Sequence, residues 1–189
     1  MILLAFDTSG PYCAAALWCD GKIIHGHAED MRKGQAERLI PILDAVLRAR
    51  KINWRDLDAI GVGTGPGNFT GIRISVSAAR GLAMGLNIPA IGVSIFEALR
   101  QPGHSCVAVP APRDTAYVQM GTADPIHIPA SDVDLSAIWP PAPEILVRNI
   151  AQTAALRCAQ PEPAPAPLYL RPADAAPPRD APPVILDDA

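Results

Sequence analysis

Prolines are distributed so unevenly along this chain that they set where regular structure can form. Residues 1–100 hold four (Pro11, Pro41, Pro66 and Pro89), residues 101–160 hold eight, and residues 161–189 hold nine. Proline has no N–H to donate and fixes φ, so a dense run of it excludes long helices and central strands. The division predicts an ordered first lobe over 1–100 and a shorter, less regular second lobe over 101–171. A proline-rich C-terminal tail, 172–189, follows with little structure of its own, although Val184-Ile185-Leu186 is apolar enough to dock. At 189 residues the chain can bury a sizeable core, and it shows no repeat of the solenoid type.

The first hundred residues parse into elements. Ile2–Asp7 is an apolar run ending on an acid, the pattern of a buried strand. After the turn Thr8-Ser9-Gly10-Pro11, Tyr12–Trp18 and Lys22–His27 form two strands joined by a tight Asp20-Gly21 hairpin. Gln35–Arg50 has helical periodicity, Leu57–Val62 reads as a short strand, Gly63–Asn68 as a glycine-rich loop and Phe69–Leu86 as a second helix. Pro89–Val93 returns as a strand, and Ser94 with Glu97 three residues on forms a capping box for Ile95–Arg100. The order βββαβαβα resembles one lobe of the actin-like (ASKHA, ribonuclease H-like) α/β fold. The expected architecture is two-lobed, with an abbreviated second lobe.

Both long helices carry more packing surface than one sheet requires. Ala36, Leu39, Ile40, Ile42, Leu43, Val46 and Leu47 spread over ~160° of a helical wheel. A single buried face needs about 100°. The second helix is rich in small residues (Gly71, Ser75, Ala78, Ala79, Gly81, Ala83, Gly85). Glycine costs a helix roughly 1 kcal/mol relative to alanine, so three of them call for a reason. Tight packing within the chain and docking of a partner helix are both open readings. Arg73 and Arg80, seven apart, share a face.

Chemistry-bearing residues are sparse. Asp7-Thr8-Ser9 stands where a buried strand meets a turn, a place where actin-like ATPases hold metal and phosphate; the same tripeptide is also an ordinary turn former. Gly63–Gly71 joins a strand to a helix N-terminus, where free N–H groups and the helix dipole could receive an anion. Asp7, Thr8, Ser9, Gly65 and Gly67 are therefore the candidates for a cofactor or anion contact, and no cofactor is expected. The loop lacks the Lys-Ser/Thr of a P-loop, and the Rossmann acid is missing from Asn87–Val93. His25 and His27 share a strand face without a third ligand nearby and read as surface histidines. Neither His-Glu-x-x-His nor Gly-x-Ser-x-Gly occurs. No catalytic or metal-binding residue is predicted.

Composition narrows the partners. Net charge is −3, without a long Lys/Arg run, so a self-sufficient RNA grip is not expected. The apolar stretches are far short of the ~20 residues of a membrane span, and the first residues do not resemble a signal peptide. Cys13, Cys19, Cys106 and Cys158 make no Cys-x-x-Cys pair and read as reduced thiols of a cytoplasmic protein.

Three segments occur in order: Ala5-Phe6-Asp7-Thr8-Ser9, Gln35–Pro41, and Gly63-Thr64-Gly65-Pro66-Gly67-Asn68-Phe69-Thr70-Gly71-Ile72-Arg73. With Gly81-Leu82-Ala83 and Ile88–Ser94 they resemble the TsaB (YeaZ) family almost continuously over residues 1–100. Val107–Gln119 and Pro167-Leu168-Tyr169-Leu170-Arg171 are similar to its second lobe and C-terminal motif. The resemblance implies a non-catalytic dimerisation subunit for the formation of N6-threonylcarbamoyladenosine beside the anticodon of tRNA. It implies a heterodimer with a TsaD-type transferase, a TsaE-type ATPase joining, tRNA reached through the complex, and no membrane. The TsaD histidine pair is replaced here by Gln35 and Leu39. The family docks through its first two helices, here Ala36, Ile40, Leu43, Leu47, Ile72, Arg73, Val76, Ala79 and Arg80. Homodimerisation of the chain alone is left open.

The chain departs from the resemblance at Pro110-Ala111-Pro112-Arg113, where two prolines are expected to strip ladder bonds from the second sheet. Two rival classes remain. An actin-like small-molecule phosphotransferase would need a second carboxylate, with Glu97 and Asp114 the candidates. A metallopeptidase-like protein lacks ligands.

Overall fold

The computed structural model describes residues 1–102, 106–160 and 163–170; the expected tail, 172–189, and Arg171 lie outside them. Its first sheet has the order β3-β2-β1-β4-β5, built from β1 (Ile2–Asp7), β2 (Tyr12–Cys19), β3 (Lys22–Asp30), β4 (Ala59–Gly63) and β5 (Ala90–Val93). β1 pairs antiparallel with β2 and parallel with β4, which itself runs parallel to β5. Asp20 and Gly21 both take positive φ, 43° and 93°, as the two-residue hairpin between β2 and β3 demands.

Strand alternation gives the sheet two buried faces. Leu4, Phe6, Cys13, Ala15 and Leu17 point to one side and pack under α1 (Gln35–Arg48) and α2 (Phe69–Leu86). Leu3, Ala5, Ala14 and Ala16 point to the other, under α3 (Ile95–Leu99) and α4 (Pro143–Arg157). The capping box of α3 forms as expected, with Glu97 N–H donating to Ser94 Oγ at 3.1 Å and Ser94 N–H to Glu97 Oε2 at 2.8 Å. Asn68 caps α2 by accepting from Gly71 N–H at 2.8 Å, and Asn87 closes it at φ 55°.

The second sheet has three antiparallel strands in the order β6-β7-β8: Cys106–Ala111, Thr115–Met120 and Ile126–Pro129. Pro110 sits in β6 opposite Ala116 without ending the strand, because β6 is an edge of this sheet. Arg113 and Asp114 turn the hairpin at φ 63° and 53°. Val107, Val109 and Tyr117 join the same apolar cluster as α4, so the two sheets share one core.

The proline count misleads at α4. The helix starts with Pro143 in its first turn, where a missing N–H costs nothing, and runs proline-free to Arg157. Although it lies within the range expected for the second lobe, it covers the first sheet through Leu146, Val147, Ile150, Ala151 and Ala154. Among the described residues, no helix is long and apolar enough to cross a membrane.

Ile150 is fully buried between α4 and the first sheet, and truncating it leaves a cavity. Ile150→Ala is expected to lower unfolding stability in urea by about 2–5 kcal/mol. A loss under roughly 1 kcal/mol would mean that α4 is not part of this core.

Candidate functional site

The end of β1 and the start of α2 meet in one tightly bonded turn. Asp7 is 0% exposed. Its Oδ1 accepts from Ser9 N–H at 3.1 Å, and its Oδ2 accepts from Ser9 Oγ at 2.7 Å and from the Tyr12 hydroxyl at 2.6 Å. A Cβ at position 63 would collide with this carboxyl, so the last residue of β4 is held to glycine. Burial pushes the Asp7 carboxyl above the usual carboxylate range, opposed by the bonds from Tyr12 and Ser9. The Tyr12 phenol is raised in turn, first by burial and then by Asp7.

The neighbouring residues are just as occupied. Thr8 Oγ1 donates to Gly71 C=O at 2.6 Å, and Asn68 N–H to Ser9 C=O at 2.6 Å. A side chain on Gly71 would strike Thr8 C=O, and one on Gly67 would strike Ser9 C=O. Gly65 C=O accepts from Ile95 N–H at 2.8 Å. The structure brings Asp7, Thr8, Ser9, Gly65 and Gly67, the candidates for a cofactor or anion contact, into one internally bonded joint between sheet and helix. Of the second carboxylates considered, Glu97 is held by Ser94 and by Arg157 Nη1 at 3.1 Å, and Asp114 lies in the β6–β7 turn. Among the described residues, no group of three or more His, Cys, Asp or Glu could hold a metal ion. His27 Nε2 lies 3.2 Å from Glu29, and burial lowers the pKa of His25.

The helical surface needs a correction. Leu43, Leu47, Ile72, Val76 and Ala79 are buried in the chain's own core under the first sheet, so they cannot be the outward contact atoms. Ala36, Ile40, Arg73 and Arg80 do face outward. The ~160° arc on α1 resolves into an inner face (Leu39, Ile42, Leu43, Val46, Leu47) and an outer edge at Ala36 and Ile40. On α2 the small residues serve two different ends. Gly71 admits Thr8, whereas a Cβ added at Gly81 or Gly85 would meet no atom within 4 Å, so these two lie on the open side. Cys13 is buried, whereas Cys19 is only half-buried, past an irregularity in β2–β3 pairing at Leu17/Trp18.

The outer surface contains residues that sequence pattern alone did not reveal. Met84 is 84% exposed and Ile40 44%. A groove of about 620 Å³ opens between the helices, lined by Ile40, Pro41, Asp44, Trp54, Leu82 and Leu86, with Met84 on another side of α2. Leu82 and Leu86, four apart, continue the helical period and could have been read from it. Trp54 comes from the short 3-10 turn Trp54–Asp56 and carries no periodic signal.

A mixed sheet flanked by helices, its β1 acid locked in an internal turn and its α1–α2 face open, defines an actin-like lobe of the ribonuclease H-like class. The family described as "TsaD: tRNA N6-adenosine threonylcarbamoyltransferase" matches residues 28–121. The tRNA threonylcarbamoyladenosine biosynthesis protein TsaB of Escherichia coli K12 is 38% identical over 101 residues, 53% of this chain and 43% of that protein. The TsaB protein of Bacillus subtilis is 35% identical over 103 residues, 54% of this chain and 45% of that protein. An uncharacterized protein of Mycobacterium tuberculosis H37Rv is 31% identical over 204 residues, 93% of this chain and 94% of its own length. The solved structure of YeaZ from Pseudomonas aeruginosa superposes with a TM-score of 0.69 at 28% identity, covering 89% of this chain and 99% of that one. The chain belongs to the TsaB (YeaZ) family. Its match spans under half the length of the E. coli relative.

Because the folded-state pKa of Asp7 is raised, its contribution to stability is present below the unfolded value of 3.8 and is lost as pH rises through the folded value. Relative to Asp7→Asn, which cannot titrate, the native chain is expected to lose melting temperature as pH rises from 4 to 8. A difference that moves the other way would show that the carboxylate, not the acid, is the form the turn favours.

Proposed function

We propose that this chain is a non-catalytic partner subunit of a TsaD-type transferase, acting in the formation of N6-threonylcarbamoyladenosine in tRNA. The observation that carries the reading is the open α1–α2 face. Between the helices an apolar groove lies open with Ile40 44% exposed at its rim, and on a different side of α2 Met84 is 84% exposed; a surface that leaves this much apolar side chain in water fits one that a partner covers. Family membership supplies the partner class, since relatives bear the name of tRNA threonylcarbamoyladenosine biosynthesis protein.

The Asp7 turn supports a structural role at the place where related folds do chemistry. Its carboxyl oxygens are engaged by Ser9 and Tyr12, so a cation would have to displace donors already in place. The subunit works by presenting a surface in the cytoplasm, not by turning over a substrate. A TsaE-type ATPase would join the assembled pair, and tRNA would be reached through the complex. In the absence of the transferase, the same face would pair two copies of this chain.

Co-expression with the transferase of the same organism and size-exclusion chromatography test the proposal. Ile40→Glu and Met84→Glu change exposed side chains and are expected to keep the monomer's melting temperature while weakening the complex at least tenfold. Unaltered complex formation by both folded variants would overturn the assignment of this face.

A further inference from the structure

The exposed stripe of α2 extends beyond the helix. Phe69, Arg73, Ser77, Arg80 and Met84 follow one another at four, four, three and four residues, and all are exposed. The stripe therefore runs the full length of the helix on its outward side. At its N-terminal end it meets a segment from far along the chain, residues 163–170. The Tyr169 ring stacks on the Phe69 ring with centroids 4.8 Å apart and planes at 28°, and the Arg73 guanidinium lies 5.3 Å from the Phe69 centroid.

The segment that carries Tyr169 is seated firmly. Leu168 N–H donates to Thr64 C=O at 2.8 Å, inside the glycine-rich loop. Leu168 and Leu170 pack on the core shared by the two sheets, and Pro165 is buried. With its two neighbours turned inward, Tyr169 is turned outward and stays 44% exposed, while Phe69 is 37% exposed. A core-packing role would have buried these rings. Here they form an aromatic ledge level with the helix stripe, beside a shallow cleft of about 340 Å³ lined by Phe69, Thr70, Arg73, Ile74 and Ser77.

We propose that Tyr169 is a positioning residue of the partner surface: it braces Phe69, and through it Arg73, so that the first turn of α2 meets the transferase in one fixed arrangement. The inference rests on the function proposed above and deepens it, extending the docking face from two helices onto the returning C-terminal strap. α2 contains no acidic residue, so its Arg73 and Arg80 favour a partner that brings carboxylates to this end of the stripe. Bracing matters because an aromatic side chain ordered before binding need not be ordered during it.

The test uses the full chain with Tyr169→Ala, Tyr169→Phe and Phe69→Ala, measuring melting temperature, hydrogen exchange at residues 69–73 and affinity for the transferase. Tyr169→Ala is expected to leave the melting temperature nearly unchanged, to speed exchange in the first turn of α2, and to weaken binding roughly two- to tenfold. Tyr169→Phe keeps the ring and is expected to restore both readouts. Phe69→Ala combined with Tyr169→Ala is expected to weaken binding no more than Phe69→Ala alone, since the two rings act as one unit. Native-like exchange and affinity in Tyr169→Ala would overturn the inference while leaving the partner reading intact. Absence of any complex with the native chain would overturn the partner reading, and this inference with it.

Discussion

The contact between the Thr8–Ser9 turn and the first turn of α2 holds the rest of the architecture in place. Thr8 Oγ1 reaches Gly71 C=O and Asn68 N–H reaches Ser9 C=O, so the end of the central strand and the start of the longest helix are joined at two points. Such proximity needs glycine at 67 and 71, because side chains there would meet Ser9 and Thr8 backbone oxygens. Asp7 completes the joint from inside by gathering Ser9 and Tyr12. With α2 pinned here, Ile72, Val76, Ala79 and Ala83 fall onto the sheet, and Phe69, Arg73, Arg80 and Met84 are left outside.

From that joint follows a division of labour between the two sides of the first sheet. One side closes on α3, α4 and the second sheet into a continuous core, with the strap at Leu168 and Leu170 packed against it. The other side is closed by α1 and α2; Tyr169 stacks on Phe69 at the start of α2, while Ile40 and Met84 remain exposed. Asp7, Thr8 and Ser9 spend their polar groups on bonds within the turn and to the start of α2. The consequence is a two-helix face backed by a sheet, the surface on which the proposed partner would dock.

Much of this was legible in the sequence. The alternating runs, the Asp20-Gly21 hairpin, the Ser94–Glu97 capping box and the glycine-rich loop before α2 each have one local physical meaning, and each forms. The failures share a cause: local pattern does not say which neighbour an apolar residue meets. On α1 a wide arc showed surplus surface but not that Leu43 and Leu47 lie inward and Ile40 outward. On α2 small residues looked alike, although Gly71 is a close approach and Gly81 and Gly85 are open. In α4 the spacing of Leu146, Val147, Ile150, Ala151 and Ala154 is helical, but the surrounding prolines masked it. The Phe69–Tyr169 stack joins residues a hundred positions apart and left no local trace.

Hydrogen exchange of the native chain, alone and with the transferase of the same organism, addresses the central claim most directly. The account predicts new protection over α1 and α2, strongest along Phe69 to Met84, with α4 and the β8 edge unchanged. Protection confined to α4 or the second sheet, with α1 and α2 exchanging as in the free chain, would contradict it.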